Sequence, residues 1–443
     1  MEQAHAPKYH RILVTVLLAS CSSYIRSVIA LQSPYRIHWI DTRMTRSTQR
    51  YSNVLVSSST NSDVNADVDV NVNVNVNVDV TRNESCECIQ VNHVNGMEQI
   101  MKDNKNYKSL LLDMWGVMHN GSEAYPGVLD TISKLKEDGI KLVILSNSSK
   151  RKSNSIKMLG KLGFNPDDFD DIITSGEIAF QLLSRNLKLS DEHLWSKLEN
   201  IKEQKVFVFG SGDGDEEYCT SSGWELAPIT EANLILARGT FTINGGVNVG
   251  VDGENFISAD NTIISKNIHG EELYFKELNR ILTIAASRQI PMLISNPDKV
   301  RPDKGLPPMP GAIGDSYESI LCDYDNGPGL SKELSKELVK RIGKPFPEVY
   351  DIALKKQDNT PNEVCMIGDA LETDITGGTN IGCDTVWIIK DGIHGPAVGS
   401  DDKQTQDQYE ENVKSVLASF NTEKGFEGNN KLSPTFVAPH FRW

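Results

Sequence analysis

An apolar run that stops at an acid and then turns on a glycine opens the chemistry of this chain: Ser109 to Gly116 read S-L-L-L-D-M-W-G. That is the layout of a buried strand delivering one carboxylate, Asp113, to the end of a sheet. Three more patches follow in chain order: V-I-L-S-N-S at Val143–Ser148, G-K-P at Gly343–Pro345, and M-I-G-D-A-L-E-T-D-I at Met366–Ile375. A carboxylate such as Asp113 can attack phosphorus in line and split a hydrolysis into two easier steps. Ser146 and Asn147 supply a hydroxyl and nearby backbone N–H groups that can hold phosphoryl oxygens at a strand end. Lys344, fixed in a turn by Gly343 and Pro345, can neutralise nucleophile and phosphate together. Asp113 and Asp369 offer the hard oxygens that Mg²⁺ prefers. Each residue also has a plainer use. Asp113 and Ser146 can cap a turn or a helix, Asp374 can cap the helix that I-T-G-G begins, and Lys344 can be a solvated surface lysine.

Placing these groups requires alternating strands and helices. After Asp113, Pro126 starts a helix over Val128–Asp138, whose Val128, Leu129, Ile132 and Leu135 share one face. Lys141–Leu145 is a second buried strand, and Ser153–Leu162 a helix stopped by Gly163. The pattern resumes late, with a helix over Pro347–Lys355 and strands at Val364–Ile367 and Thr385–Ile389. The stretch between Ser146 and Lys344 is far longer than a strand–helix–strand connection needs. It carries its own expected strands at Lys205–Phe209 and Asn233–Ala237, and helices over Asp215–Ser222 and Leu273–Ser287. The expected fold is α/β: a Rossmann-like doubly wound parallel sheet core with an inserted α/β cap domain. The boundaries drawn are a core first part at 91–180, the cap at 181–310, and the core second part with a C-terminal segment at 311–443.

The chain has 443 residues and a net charge of −15, which argues against a general nucleic-acid binder. The acidity is uneven, since residues 1–62 hold seven Lys/Arg against two acids. Ile12 to Cys21 is an apolar stretch behind Lys8 and Arg11, too short to span a bilayer comfortably. Leu31 to Ser62, rich in Ser, Thr and Arg, has the composition of an organelle transit segment. A signal followed by a transit segment points to a plastid, with the mitochondrion as the alternative, and to a mature form without a membrane span. Residues 63–90, where Val alternates with Asn or Asp, read as a low-complexity disordered linker. The seven cysteines show no metal spacing and suit a reducing compartment.

In this order the four patches resemble the motifs of the haloacid dehalogenase-like (HAD) hydrolases. Insertion between the second and third patches resembles the class IIA branch of that superfamily. D-M-W-G-V-M-H-N-G, L-S-N-S, T-S-G-E at Thr174–Glu177, S-N-P-D at Ser295–Asp298 and P-G-A-I at Pro310–Ile313 together resemble a subgroup with Asp-x-Trp in the first motif. The resemblance implies a phosphatase for a small phosphorylated metabolite, with Asp113 as nucleophile. It implies Mg²⁺ held by Asp113, Asp369 and the backbone carbonyl of Trp115, supported by Asp374. The usual first motif carries a second Asp as general acid/base, and that position here is Trp115. An indole N–H cannot shuttle protons at neutral pH. The departure keeps open a second reading, a catalytically weak phospho-ligand binding or regulatory protein. His119 either packs or hydrogen-bonds in its loop or replaces the acid, and Arg151 is a candidate for reading the substrate. A homodimer is compatible with the family.

Overall fold

The computed structural model describes residues 91–443 except 104–105, 190–197, 199, 213, 245–262, 302–306, 324–328 and 400–403, together with the backbone of three strands nearer the N-terminus. The chain divides into two units, Met1–Cys88 and Ile89–Trp443. In the first unit β1 (Val14–Cys21), β2 (Tyr24–Ser33) and β3 (Arg36–Met44) form an antiparallel meander, with Val14 opposite Leu31 and Ile25 opposite Met44. These strands fall in the stretch expected as a leader. The expected linker at 63–90 lies outside the described residues.

The second unit is built on two sheets. Its core sheet contains β4 (Asn92–His93), β5 (Ser109–Leu112), β6 (Lys141–Ser146) and β7 (Asp171–Thr174). The inserted sheet contains β8 (Lys205–Gly210), β9 (Glu225–Leu226), β10 (Leu234–Ala237), β11 (Thr242–Asn244), β12 (Ile263–Ser265), β13 (Met292–Ile294) and β14 (Val339–Arg341). The core then resumes with β15 (Val364–Gly368), β16 (Asp384–Ile388) and β17 (Phe436–Ala438).

The core sheet runs β4-β17-β16-β15-β5-β6-β7, with these neighbouring strands paired in parallel. Every residue of β5 is buried, as the run S-L-L-L requires of a central strand covered by helices on both faces. Chain order proceeds outward from β5 toward β7 on one side and from β15 toward β17 on the other. The switch point therefore lies between β5 and β15, and the crevice beyond their carboxyl ends is where such a sheet binds ligands. The first, second and fourth patches end on the three neighbouring strands β5, β6 and β15.

The inserted sheet has the order β12-β11-β8-β10-β13-β14, with β9 also on β8. Its parallel β13–β14 pair places Met292 opposite Val339 and Ile294 opposite Arg341. The helix Pro310–Cys322, with Pro310 at its start, contributes Ile313, Tyr317 and Leu321 to the same apolar cluster as Phe207 and Ile294. The insertion thus runs to Arg341 and not to 310. Its last strand hides from sequence reading because Val-Lys-Arg is short and two-thirds polar. The 19-residue helix Gln406–Lys424 was also unforeseen. A Thr405/Gln408 capping box starts it, but its buried stripe of Tyr409, Val413, Leu417 and Asn421 is only one residue wide. No helix among the described residues is long and apolar enough to cross a membrane.

A fragment beginning at Val91 carries both sheets and all four clusters of buried side chains. It is expected to be soluble and to melt within about 2 °C of the full chain, since a shift that small corresponds to well under 1 kcal/mol at this size. A markedly lower melting temperature would show that the first unit supports the second.

Candidate functional site

Asp113 follows β5, and its backbone N–H donates to the Ile367 carbonyl of β15 at 2.9 Å. This ties the first carboxylate to the strand that carries the second. The chain then turns through Gly116 at φ 80°, where a Cβ would stand 2.3 Å from Asp369 Oδ2. Only glycine lets the turn approach that close. After β15 comes one π-helical turn, Leu371–Ile375, in which Ile375 N–H reaches back to the Ala370 carbonyl at 3.2 Å. The widened turn faces Asp374 inward, with its Oδ2 accepting from Ala370 N–H at 3.1 Å. Asp369 Oδ2 accepts from Ile393 N–H at 2.8 Å, and its carbonyl accepts from the Trp387 indole at 3.0 Å.

Lys344 arrives from the other direction. β14 ends at Arg341, Ile342 N–H still pairs with the Ile294 carbonyl at 2.9 Å, and the core helix Pro347–Gln357 starts three residues after Lys344. The lysine therefore sits on the hinge between the inserted domain and the core. Its Nζ lies 2.5 Å from Asp113 Oδ1 and 2.7 Å from Asp374 Oδ1, with only 2% of the side chain exposed. Burial opposes its charge, but the two carboxylates more than compensate and hold its pKa above the ordinary lysine value. Oxygens of Asp113, Asp369 and Asp374 all lie within 4.8 Å of one another. Burial, then repulsion from Asp113 and Asp374, raises the Asp369 pKa well above the usual range. Burial also pushes Asp374 up to about 6 despite Lys344. Two buried acids and the partly buried Asp113 outnumber one lysine, and their all-oxygen donor set fits a hard divalent cation.

Ser146 ends β6 and borders the same cavity, with its Oγ accepting from Ser148 N–H at 3.2 Å. Asn147 borders the same cavity, but its side chain is engaged by protein groups. Its amide donates to Asp298 Oδ1 at 2.7 Å and to the Lys344 carbonyl at 3.0 Å, while its Oδ1 accepts Lys344 N–H at 2.7 Å. Both amide hydrogens are spent, so Asn147 is a brace for the lysine. Arg151 is displaced from its expected role. It lies flat on Phe180, 3.4 Å from the ring centre, and pairs with Glu177 through Nε at 2.5 Å. It borders a separate groove with Lys152 and Ile156, because the helix Lys152–Lys161 turns it away from the β6 end. Its neighbour Lys150 borders the main cavity instead and donates to Ser211 Oγ at 2.8 Å.

Trp115 stands at the cavity edge with 39% of its surface exposed, its ring against Gly121 and edge-on to His119. His119 is 1% exposed; its Nδ1 accepts Gly121 N–H at 3.0 Å, so the proton of the neutral ring sits on Nε2. That Nε2 is buried without a partner, and burial lowers the pKa to about 4. His119 is thus a loop-packing residue and not a poised acid.

The cavity measures about 1060 Å³ and is bordered by both domains. From the inserted domain come Arg238, Thr240, Phe241, Asp298 and Lys299. Arg238 pairs with buried Asp215 and reaches the Ser149 carbonyl of the core at 3.5 Å. Sequence reading noticed S-N-P-D but gave Asp298 no role. The available signal was that it follows a buried strand, as Asp113 does.

A haloacid dehalogenase-like hydrolase family matches residues 110–225, and a HAD-hydrolase-like family matches residues 341–416. The acid sugar phosphatase of Staphylococcus haemolyticus is 26% identical over 286 residues, covering 64% of this chain and 86% of that protein. The Staphylococcus aureus protein of the same name is 25% identical, with 64% and 87% covered. The p-nitrophenyl phosphatase of Archaeoglobus fulgidus superposes with a TM-score of 0.45 at 19% identity, covering 76% of this chain and 97% of that one. The two matched segments carry all four patches and lie on either side of most of the inserted sheet, so both parts of the core are similar to haloacid dehalogenase-like hydrolases.

Proposed function

We propose that the protein is a Mg²⁺-dependent phosphatase for a small phosphorylated metabolite, acting through an aspartyl-phosphate on Asp113. The carrying observation is the buried cluster in which Lys344 bridges Asp113 and Asp374 while three carboxylates converge on one cation-sized space. The sugar-phosphatase names of its relatives support the reading. Asp113, Asp369 and the Trp115 carbonyl would hold Mg²⁺, with Asp374 in support. When bound, the ion neutralises charge on the phosphoryl group. Asp113 attacks phosphorus, and Lys344 positions the nucleophile and offsets its charge. Ser146 Oγ and the following backbone N–H groups bind the phosphoryl oxygens. Water then hydrolyses the phosphoenzyme. Residues 1–62 are proposed as a plastid-directing leader, on their charge balance alone.

Asp113→Asn removes the nucleophile while leaving the strand intact. Phosphatase turnover of the Val91–Trp443 fragment is expected to fall below detection, together with phosphoenzyme trapping by metal fluorides. Activity within a few-fold of wild type would assign the chemistry elsewhere.

The raised carboxyl pKa values give a signed pH dependence. Asp374 is harder to ionise folded than unfolded, so its stabilising contribution is complete below about pH 4 and is lost as pH rises through about 6, and the raised pKa of Asp369 acts in the same direction. Mg²⁺ should therefore raise the melting temperature by several degrees near pH 7.5 and by much less near about pH 4.5. In Asp369→Asn the Mg²⁺-dependent rise should shrink and the Mg²⁺-free protein should lose less stability over this range. Overlaying Mg²⁺ titrations for variant and wild type would place the cation outside this cluster.

A further inference from the structure

A phosphatase that releases an alcohol needs a proton for the leaving oxygen, and Trp115 cannot supply one. Most carboxylates bordering the cavity are already committed. Asp113, Asp369 and Asp374 form the cation cluster, Asp315 and Glu318 are tied to Arg341, and Glu372 pairs with Lys424 at 2.7 Å. Lys344 is held charged between two acids, and His119 keeps its Nε2 out of solvent. His394 borders the cavity too, but burial lowers its pKa to about 4, which leaves it without a proton to give.

Asp298 is different. It follows the end of β13 in the inserted domain and borders the cavity with Asp113, Trp115 and Lys344. Its carboxylate accepts a hydrogen bond from a neutral group, the Asn147 amide at 2.7 Å, and among the described residues no ion pair joins it to a cation. The same amide nitrogen lies 3.0 Å from the Lys344 carbonyl, so two hydrogen bonds separate Asp298 from the residue whose Nζ touches Asp113. Resting on the phosphatase reading above, we propose that Asp298 is the proton-carrying catalytic carboxyl of this enzyme, delivered by the inserted domain in place of an acid on the Asp113 loop.

Burial is the largest influence on Asp298 and raises its pKa to about 6; Asn147 and Lys344 oppose the rise, and Asp113 and Asp374 add to it. The group thus changes protonation in mildly acidic solution, the range in which a general acid is useful. In the first step Asp113 bonds to phosphorus, the bond from phosphorus to the ester oxygen breaks, and the Asp298 proton passes to that oxygen. In the second, water bonds to phosphorus, the bond to Asp113 breaks, and Asp298 takes the water proton. Both carboxyls return to their starting states.

The test compares Asp298→Asn and Asn147→Ala, with Mg²⁺, on a sugar phosphate and on p-nitrophenyl phosphate, whose leaving group needs little protonation. Asp298→Asn should lower kcat/KM, which reports transfer to Asp113, on the sugar phosphate about a hundredfold or more, while kcat/KM for p-nitrophenyl phosphate stays within about fivefold. The wild-type fall in sugar-phosphate rate as pH rises past about 6 should disappear. Asn147→Ala keeps the carboxyl but loses the brace, and should slow both substrates alike. Trp115→Asp combined with Asp298→Asn should recover sugar-phosphate turnover. An equal loss of kcat/KM on both substrates for Asp298→Asn would reduce Asp298 to a structural partner of Asn147, and an unchanged sugar-phosphate kcat/KM would also overturn the proposal. Should Asp298→Asn misfold by its melting curve, Asp298→Glu must retain the substrate selectivity with a shifted pH limb, or the proposal fails. A wild type inert on both substrates, with Asp113→Asn indistinguishable from it, would instead sink the phosphatase reading and this one with it.

Discussion

Lys344 between Asp113 and Asp374 is the interaction on which the rest of the site depends. Burying three carboxylates beyond two adjacent strand ends is costly unless positive charge is brought to them. One ammonium group, 2.5 and 2.7 Å from two of the acids, supplies part of it. The remainder is a standing demand for a cation. Much local structure serves this arrangement. Gly116 lets the first loop close on Asp369, the π-helical turn re-aims Asp374, and Trp387 pins the Asp369 carbonyl from β16.

The lysine's route into the site couples the two sheets. Lys344 lies between the last strand of the inserted domain and the first helix after it, and Asn147 holds its backbone from both sides. Asp298, from the neighbouring strand β13, grips the same Asn147. A shift of the inserted sheet would therefore be felt at Lys344 through covalent chain and hydrogen bonds together. Arg238 makes a parallel connection through the Ser149 carbonyl. The inserted domain's side of the cavity and the charge balance at Asp113 are in this way mechanically linked.

What the sequence made legible follows from physical scale. Asp113, Ser146, Asp369 and Lys344 were readable because each ends a buried run or sits in a Gly/Pro-fixed turn, and the structure gathers all of them around one cavity. The core strands were readable because parallel strands covered on both faces are continuously apolar. Side-chain partners across long separations were not. Asn147 is spent on residues about 150 and 200 positions away, and Arg151 is captured by Glu177 and Phe180 on a helix that sequence alone could not orient. The insertion's end at Arg341 was hidden because Val-Lys-Arg is too short and polar to show a strand period, and only its partner β13 makes it one.

Trp115 follows from the same charge balance. An acid at that position would add a fourth carboxylate to a cluster in which Asp369 and Asp374 are already pushed above their usual range. An indole adds no charge. It fills the loop against Gly121 and His119 and leaves a flat face toward the cavity. A carboxyl on the inserted domain, held by a neutral amide and separate from the cation cluster, can keep a proton that one on the Asp113 loop would compete with the cation to hold. Placing proton and cation on different domains would let one site satisfy two opposed electrostatic requirements: strong negative potential for a metal, and a neutral acid for a leaving oxygen.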